Sequence, residues 1–205
     1  LRIGVTLIEN CEVKTMPKIE SAILRNIFSK ALESFLSSES QNIVNGTSER
    51  NLCARLAMFL EAGAASSNVI GYYADAEYNR KQKGKVKTIL DDNMVEIPIT
   101  CDLILHSRGE FILEDNLIAI EMKRSSHSEK ATDADRRRLC AMTKSSFDDI
   151  WSADGIAHPE HVCGYRIGYL LVLNVPQRNI VIEEYESGKF IKKYLRHFRV
   201  FESKY

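Results

Sequence analysis

The sequence contains no apolar segment long enough to cross a membrane. A membrane-spanning helix needs roughly 18 or more consecutive apolar residues, and no run here approaches that length. The first residues also lack the pattern of a secretory signal peptide, so we expect no membrane partner. Internal repeats and low-complexity tracts are absent as well, which excludes a repeat architecture.

Paired cysteine motifs and an excess of either charge are also missing. The cysteines are odd in number, scattered and without a C-x-x-C pair, which predicts reduced thiols in the cytoplasm. They are Cys11, Cys53, Cys101, Cys140 and Cys163. Because 28 Lys and Arg balance 28 Asp and Glu, the overall charge indicates nothing about binding partners.

The 205 residues are enough for one domain with a sizeable hydrophobic core. A hydrophobic fraction of 44% and a charged fraction of 27% are typical of soluble globular proteins. We expect an N-terminal helical extension over residues 1–47 and a main domain over residues 48–205. The chain begins with Leu1 rather than Met. Two interpretations of this start stay open, a trimmed chain and one domain of a longer protein.

Residues 116–124 carry the most informative pattern, Asn-Leu-Ile-Ala-Ile-Glu-Met-Lys-Arg. A short run rich in isoleucine predicts a buried strand. Because side chains alternate along a strand, Glu121 and Lys123 would lie on the same face. A carboxylate and an ammonium at the end of a buried strand are costly unless other groups compensate them. A metal ion and a phosphate would compensate both charges.

A second apolar strand is predicted within residues 97–106, with Asp102 near its start. Asp102 precedes Glu121 by 19 residues, and residues 107–109 can form the turn between them. This length predicts an antiparallel hairpin that brings Asp102 beside Glu121. An Asp, a Glu and a Lys would then converge at one edge of a sheet.

A helix beginning at Ser48 provides a further carboxylate. Ser48 suits the N-cap, and Glu49 in the first turn interacts favourably with the helix dipole. The helix is predicted to reach about Ala62. Glu49 lies on its core-facing side, since it precedes three apolar positions by three, four and seven residues. Those positions are Leu52, Cys53 and Leu56. From the helix alone, a surface glutamate and a ligand for a metal or water are both acceptable interpretations.

In this order, Glu49, Asp102 and Glu121-Met122-Lys123 resemble the signature of the PD-(D/E)XK nuclease superfamily. The resemblance covers about residues 48–173, with Cys101 where the motif has its Pro. It implies an α/β, restriction-endonuclease-like fold, in which a mixed central sheet of four or five strands is flanked by helices.

The resemblance also implies a metal-dependent nuclease that hydrolyses DNA phosphodiester bonds, with restriction, repair or phage defence as candidate roles. Asp102 and Glu121 would hold Mg²⁺, or Mn²⁺ as an alternative, and Glu49 would complete the ligand set directly or through water. Lys123 would orient the attacking water or help to deprotonate it.

Two other classes of function stay open. One is a non-catalytic nucleic-acid-binding or assembly module on the same fold, and the other is an interaction domain whose carboxylates only form ion pairs. A homodimer and a larger complex are open in the same way.

Basic residues between two predicted strands form a predicted phosphate-contacting loop. They are Arg80, Lys81, Lys83, Lys85 and Lys87, with no acid among them. Arg124, and Arg136 on a helix predicted over residues 129–142, are further predicted DNA contacts. A solvated loop and an ordinary charged helix face account for the same charges equally simply.

The remaining segments predict packing elements. We expect a helix over residues 17–35, a polar loop over 37–46, and strands over 69–79, 165–175 and 179–186. Asp75 and Glu77 are treated as a solvated strand face rather than as auxiliary acids. The aromatic spacing of the basic tail after residue 188 favours helix packing over contact with nucleic acid. A zinc site at His158, His161 and Cys163 is not favoured, because it lacks a fourth ligand.

Overall fold

The computed structural model describes residues 19–77, 88–90, 96–98, 101–111, 114–144 and 164–200, with backbone alone for the two short segments 88–90 and 96–98. In these ranges the chain forms helices α1 Ser21–Val44, α2 Glu49–Ser66 and α3 Glu129–Met142. The strands are β1 Tyr73–Ala76, β2 Thr88–Leu90, β3 Glu96–Pro98, β4 Leu103–His106, β5 Asn116–Arg124, β6 Ile167–Asn174, β7 Asn179–Glu186 and β8 Lys189–His197.

The central sheet is mixed, as predicted, but it contains six described strands rather than four or five. Its order is β1-β4-β5-β6-β7-β8, and β2 and β3 form a separate hairpin. Strands β5 and β6 are parallel, whereas every other neighbouring pair in the sheet is antiparallel. The predicted core strand over 69–79 is shorter than expected, since β1 has four residues and lies at the edge of the sheet.

The two faces of the sheet are covered by different helices. Alternate residues of β5, such as Ile118 and Ile120, pack in one apolar cluster with α1 and α2. Ala119 on the opposite face packs with Leu139 of α3 in a second cluster. Glu121 and Lys123 follow the alternation of Ala119, and they therefore lie on the face that α3 covers.

Helix α1 is longer than the sequence predicts, and the prediction of a loop over residues 37–46 is wrong. The helix continues to Val44, and Glu39 and Ile43 are buried in its last turns. Glu39 accepts hydrogen bonds from Arg55 of α2 at 2.7 Å and from Asn42 at 2.7 Å. This tertiary contact stabilises a polar stretch whose composition alone favours a loop.

The tail after residue 188 is a strand over its described length, so the prediction of helix packing there is wrong. Ser187 and Gly188 both have positive φ, at 51° and 75°. Two such residues between antiparallel strands form a tight hairpin turn whose twist matches the strands. The turn commits Lys189–His197 to pairing with β7 as the edge strand β8. The described residues include no helix with the length and hydropathy to span a membrane.

Candidate active site

The predicted hairpin is confirmed, and it aligns the two candidate carboxylates. Leu103, the first residue of β4, pairs with Ile120 of β5. Because the two strands are antiparallel, Asp102, one residue before Leu103, lies opposite Glu121, one residue after Ile120. Asp102 Oδ2 accepts a 2.8 Å hydrogen bond from the backbone amide of Met122. This bond fixes the Asp102 carboxylate beside β5, on the same side of the sheet as Glu121.

Cys101 takes the position that the resemblance assigns to a Pro. Its buried Sγ lies within hydrogen-bonding distance of the Ile120 carbonyl, at 3.2 Å, and of the Leu103 carbonyl, at 3.5 Å, and its one proton can be donated to either. Burial, together with the nearby charges of Glu121 and Asp102, raises the pKa of this thiol well above its usual value. The thiol therefore stays protonated and can donate, which ties the segment before Asp102 to β5.

Glu121 is fully buried on the face that α3 covers. Its Oε1 accepts a 2.6 Å hydrogen bond from Arg138 Nη1. Its Oε2 is also buried and has no hydrogen-bond partner among the described residues. Burial and the charge of Asp102 raise the pKa of this carboxyl well above its usual value, and Arg138 offsets only part of that effect.

Lys123 lies between two carboxylates. Its Nζ is 3.4 Å from Asp135 Oδ2 and 3.8 Å from Asp102 Oδ2. Burial lowers the pKa of the ammonium, but the charges of Asp102, Asp135 and Glu121 outweigh burial and raise the pKa above its usual value. Lys123 is therefore a cation at neutral pH, and its side chain is 19% exposed.

Asp135 and Arg138 of α3 belong to the same cluster, and the sequence argument did not identify either. Asp135 is 2% exposed, and its Oδ1 lies 3.1 Å from Arg138 Nη1. A signal was present, because Asp135 precedes Leu139 and Met142 by four and seven residues and therefore lies on their inward face.

Glu49 reaches the end of β5 from the other side of the sheet. The predicted N-cap is confirmed, since Ser48 Oγ accepts from the Asn51 amide. Glu49 Oε1 accepts a 2.7 Å hydrogen bond from the backbone amide of Arg124, and His127 Nε2 lies 3.7 Å away. Glu49 also contributes to the raised pKa of Lys123, so its charge acts on the cluster. Its direct contacts are nevertheless with the strand end and not with Asp102 or Glu121.

Two predicted DNA contacts have partners within the chain. Arg124 donates to the carbonyls of Ile43 at 3.3 Å and Thr47 at 2.6 Å, which satisfies the C-terminal end of α1. Arg136 forms ion pairs with Glu183, Glu129 and Asp133. The predicted phosphate-contacting loop, Arg80 to Lys87, lies outside the described residues, as do His158, His161 and Cys163.

Asp75 and Glu77 form ion pairs instead of facing solvent alone. Asp75 accepts from Arg108 at 2.7 and 2.8 Å and lies 3.0 Å from His106 Nε2. Glu77 accepts from Arg50. These pairs occupy both acids, and neither joins the cluster around Glu121.

The carboxylates of Asp102 and Glu121 fit a hard divalent cation. In the part of the chain that the structure describes, no three His, Cys, Asp or Glu side chains are grouped closely enough to form a complete ligand set. Mg²⁺, however, is commonly held by one or two carboxylates and completes its shell with water and phosphate oxygens. The buried Glu121 Oε2, which makes no hydrogen bond within the described ranges, is an oxygen to which such a cation can bind.

Comparison of the chain with protein-family models, with curated proteins and with solved structures gave no match.

Proposed function

We propose that this chain is a Mg²⁺-dependent nuclease that cleaves DNA, built on a restriction-endonuclease-like fold. One observation carries the proposal. Asp102, Glu121 and Lys123 meet on one face at the end of the β4–β5 hairpin, and no residue in the described part of the chain forms a hydrogen bond with the buried Oε2 of Glu121. This set supplies two oxygen ligands and a cation at one position on rigid strands.

The charge of the cluster favours an added cation. Asp102, Glu121 and Asp135 contribute three carboxylates, whereas Lys123 and Arg138 contribute two positive charges. A buried ion-pair network with a purely structural role is expected to balance its charges and satisfy its oxygens. Here one negative charge is in excess, and two buried oxygens, Glu121 Oε2 and Asp135 Oδ2, make no hydrogen bond to the residues that the structure describes. A metal ion bound at Glu121 Oε2 would offset the excess charge and would coordinate one of these two oxygens.

Each residue then has a distinct task. Bound Mg²⁺ would lower the pKa of a coordinated water and neutralise charge that develops on the phosphate. Asp102 and Glu121 would hold the ion, and the hydrogen bond from Met122 fixes the direction of the Asp102 carboxylate in advance. Glu49 lies at the strand end, and it would contribute to the ligand set through water.

Lys123 acts as a cation in this proposal. Because its neighbouring carboxylates raise its pKa, it has no free electron pair with which to accept a proton at neutral pH. Its ammonium orients the attacking water by hydrogen bonding and offsets the charge of the scissile phosphate. Of the two tasks that the sequence suggested for Lys123, orienting the water is therefore favoured over deprotonating it.

Incubation of the purified chain with nucleic acids tests this proposal. Linear, circular and single-stranded DNA, with RNA beside them, are incubated with Mg²⁺, with Mn²⁺ or with a chelator. We expect DNA cleavage that the chelator abolishes and that is lost in Asp102→Asn. Asp133→Asn is the matched control, because Asp133 is a half-exposed acid on α3 that pairs with Arg136, away from the cluster. Cleavage that persists in the chelator or in Asp102→Asn would contradict the proposal, as would no cleavage of any substrate.

A further inference from the structure

Asp135 contacts both cations of the cluster. Its Oδ1 lies 3.1 Å from Arg138 Nη1, and its Oδ2 lies 3.4 Å from Lys123 Nζ. Asp135 is 2% exposed and is held on α3, which packs closely on β6. A carboxylate in this position fixes where both cations stand.

Asp135 and Asp102 compete for the ammonium of Lys123. The Nζ is closer to Asp135, at 3.4 Å, than to Asp102, at 3.8 Å. Both contacts are ion pairs rather than hydrogen bonds, and the longer one leaves the Asp102 carboxylate less closely paired with Lys123 than Asp135 is. A lysine side chain is long and has several rotatable bonds, so without Asp135 nothing on α3 would hold the ammonium away from Asp102.

We propose that Asp135 is a positioning residue, which draws Lys123 toward α3 and thereby leaves the Asp102 carboxylate free for a divalent cation. This inference rests on the proposed function, because it assigns Asp102 to the metal. Asp135 touches neither the metal nor the DNA. It acts through Lys123, and Arg138 shares the other oxygen of its carboxylate.

The test is a double-mutant cycle of Asp135→Asn and Lys123→Met, read by calorimetric titration with Mg²⁺ alone. In Asp135→Asn the ammonium moves onto Asp102 and competes with the ion, so Mg²⁺ affinity should fall by about 10- to 100-fold, as for other residues that support metal ligands. Adding Lys123→Met should restore most of that loss. Lys123→Met must raise the Mg²⁺ affinity by a larger factor in the Asp135→Asn background than in the wild type.

A simple loss of charge gives a different result. If Asp135 acts only through the electrostatic field, Lys123→Met changes Mg²⁺ affinity by the same factor in both backgrounds. Such additivity would overturn the positioning role. A merely structural Asp135 would lower the midpoint of denaturant unfolding and leave the coupling at zero. Asp133→Asn on the same helix is the control, and it should leave Mg²⁺ affinity unchanged.

Further measurements separate this inference from the proposed function. Asp135→Glu retains the carboxylate and should retain most of the Mg²⁺ affinity, and Asp135→Ala enters the same cycle if Asp135→Asn does not fold. Single-turnover DNA cleavage at saturating Mg²⁺ should fall in Asp135→Asn, because Lys123 is displaced from the water. A wild type that binds Mg²⁺ and cleaves DNA but gives an additive cycle would contradict only the positioning role. A wild type that does not bind Mg²⁺ would contradict both.

Discussion

Glu121 and Glu183 flank Leu170 on the face of the sheet that α3 covers, and the pKa values of their carboxyl groups are shifted in opposite directions. Glu183 accepts hydrogen bonds from Arg136 and Tyr185 and pairs with Lys193, which occupies both of its oxygens. Among the residues that the structure describes, Glu121 accepts a hydrogen bond from Arg138 alone, at one of its two oxygens. A satisfied acid is typical of structural anchoring, and an unsatisfied one beside it is typical of a ligand site.

The first prediction concerns the cost of Glu121 to the fold. Its pKa is raised because it is buried and close to Asp102, so ionisation opposes folding above the unfolded pKa of about 4.3. In chelator at pH 7, Glu121→Gln should therefore raise the free energy of unfolding, on the order of 1 kcal/mol. The gain should vanish as the pH falls below 4.3, where the carboxyl is protonated in both states.

Denaturant unfolding at several pH values, without metal, measures this effect. Asp133→Asn serves as the control for loss of an exposed acid on the neighbouring helix. A large loss of stability in Glu121→Gln at pH 7 would identify the Glu121–Arg138 contact as a structural ion pair and would count against a metal site.

The second prediction has the opposite sign and concerns Glu183. Burial opposes its ionisation, but hydrogen bonds from Arg136, Lys193 and Tyr185 outweigh burial and lower its pKa to about 2. Its contribution to stability is thus complete above the unfolded pKa of about 4.3 and is lost as the pH falls toward 2. Glu183→Gln should destabilise the chain at pH 7 by on the order of 2 kcal/mol.

Acid titration of unfolding distinguishes this prediction from a loss of packing. The stability difference between wild type and Glu183→Gln should shrink between pH 4.3 and pH 2, because the wild type loses the ion pair there. A difference that stays constant over this range would show that the glutamine disturbs packing and that the charge of Glu183 contributes nothing.

The third prediction concerns the basic segment from Arg80 to Lys87, which stays a prediction from sequence. If it contacts phosphates, Lys83→Ala with Lys85→Ala should weaken binding to all duplex sequences alike. The slope of log K against log salt concentration should fall by about 0.9 for each lost contact. Fluorescence anisotropy over a range of salt concentrations provides the slope. An unchanged slope would mean that the segment is solvated in the complex.

The elements around the site were largely predictable from local sequence. The run at 116–124 forms β5, and the helix predicted over 129–142 is α3 with the same bounds. The continuous apolar run is a strong local signal for β5. The structure adds that Ser128 caps α3, since its side chain accepts from the Ala131 amide. The hairpin also followed from chain length, because an antiparallel connection allows few registers.

Features that depend on distant contacts were not predictable in the same way. The end of α1 depends on Glu39 meeting Arg55, and the strand β8 depends on the turn at Gly188. Glu49 was correctly placed on a helix, but only the layer order of the fold shows that the helix packs on the opposite face from Glu121. Asp135 is not distinguished by composition, because an acid in a helix with three acids and four basic residues resembles a surface residue until its inward spacing is counted.

The most direct test of the account is to measure metal binding and DNA cleavage on the same purified variants. Calorimetric Mg²⁺ titration and single-turnover cleavage are carried out on the wild type, Asp102→Ala and Lys123→Ala. Asp102→Ala should lose metal affinity and cleavage together. Lys123→Ala should bind Mg²⁺ at least as tightly as the wild type, because a nearby positive charge is gone, while cleavage falls by about 10²-fold or more. Near-wild-type cleavage by Lys123→Ala, or unchanged Mg²⁺ binding by Asp102→Ala, would contradict a nuclease site at this cluster.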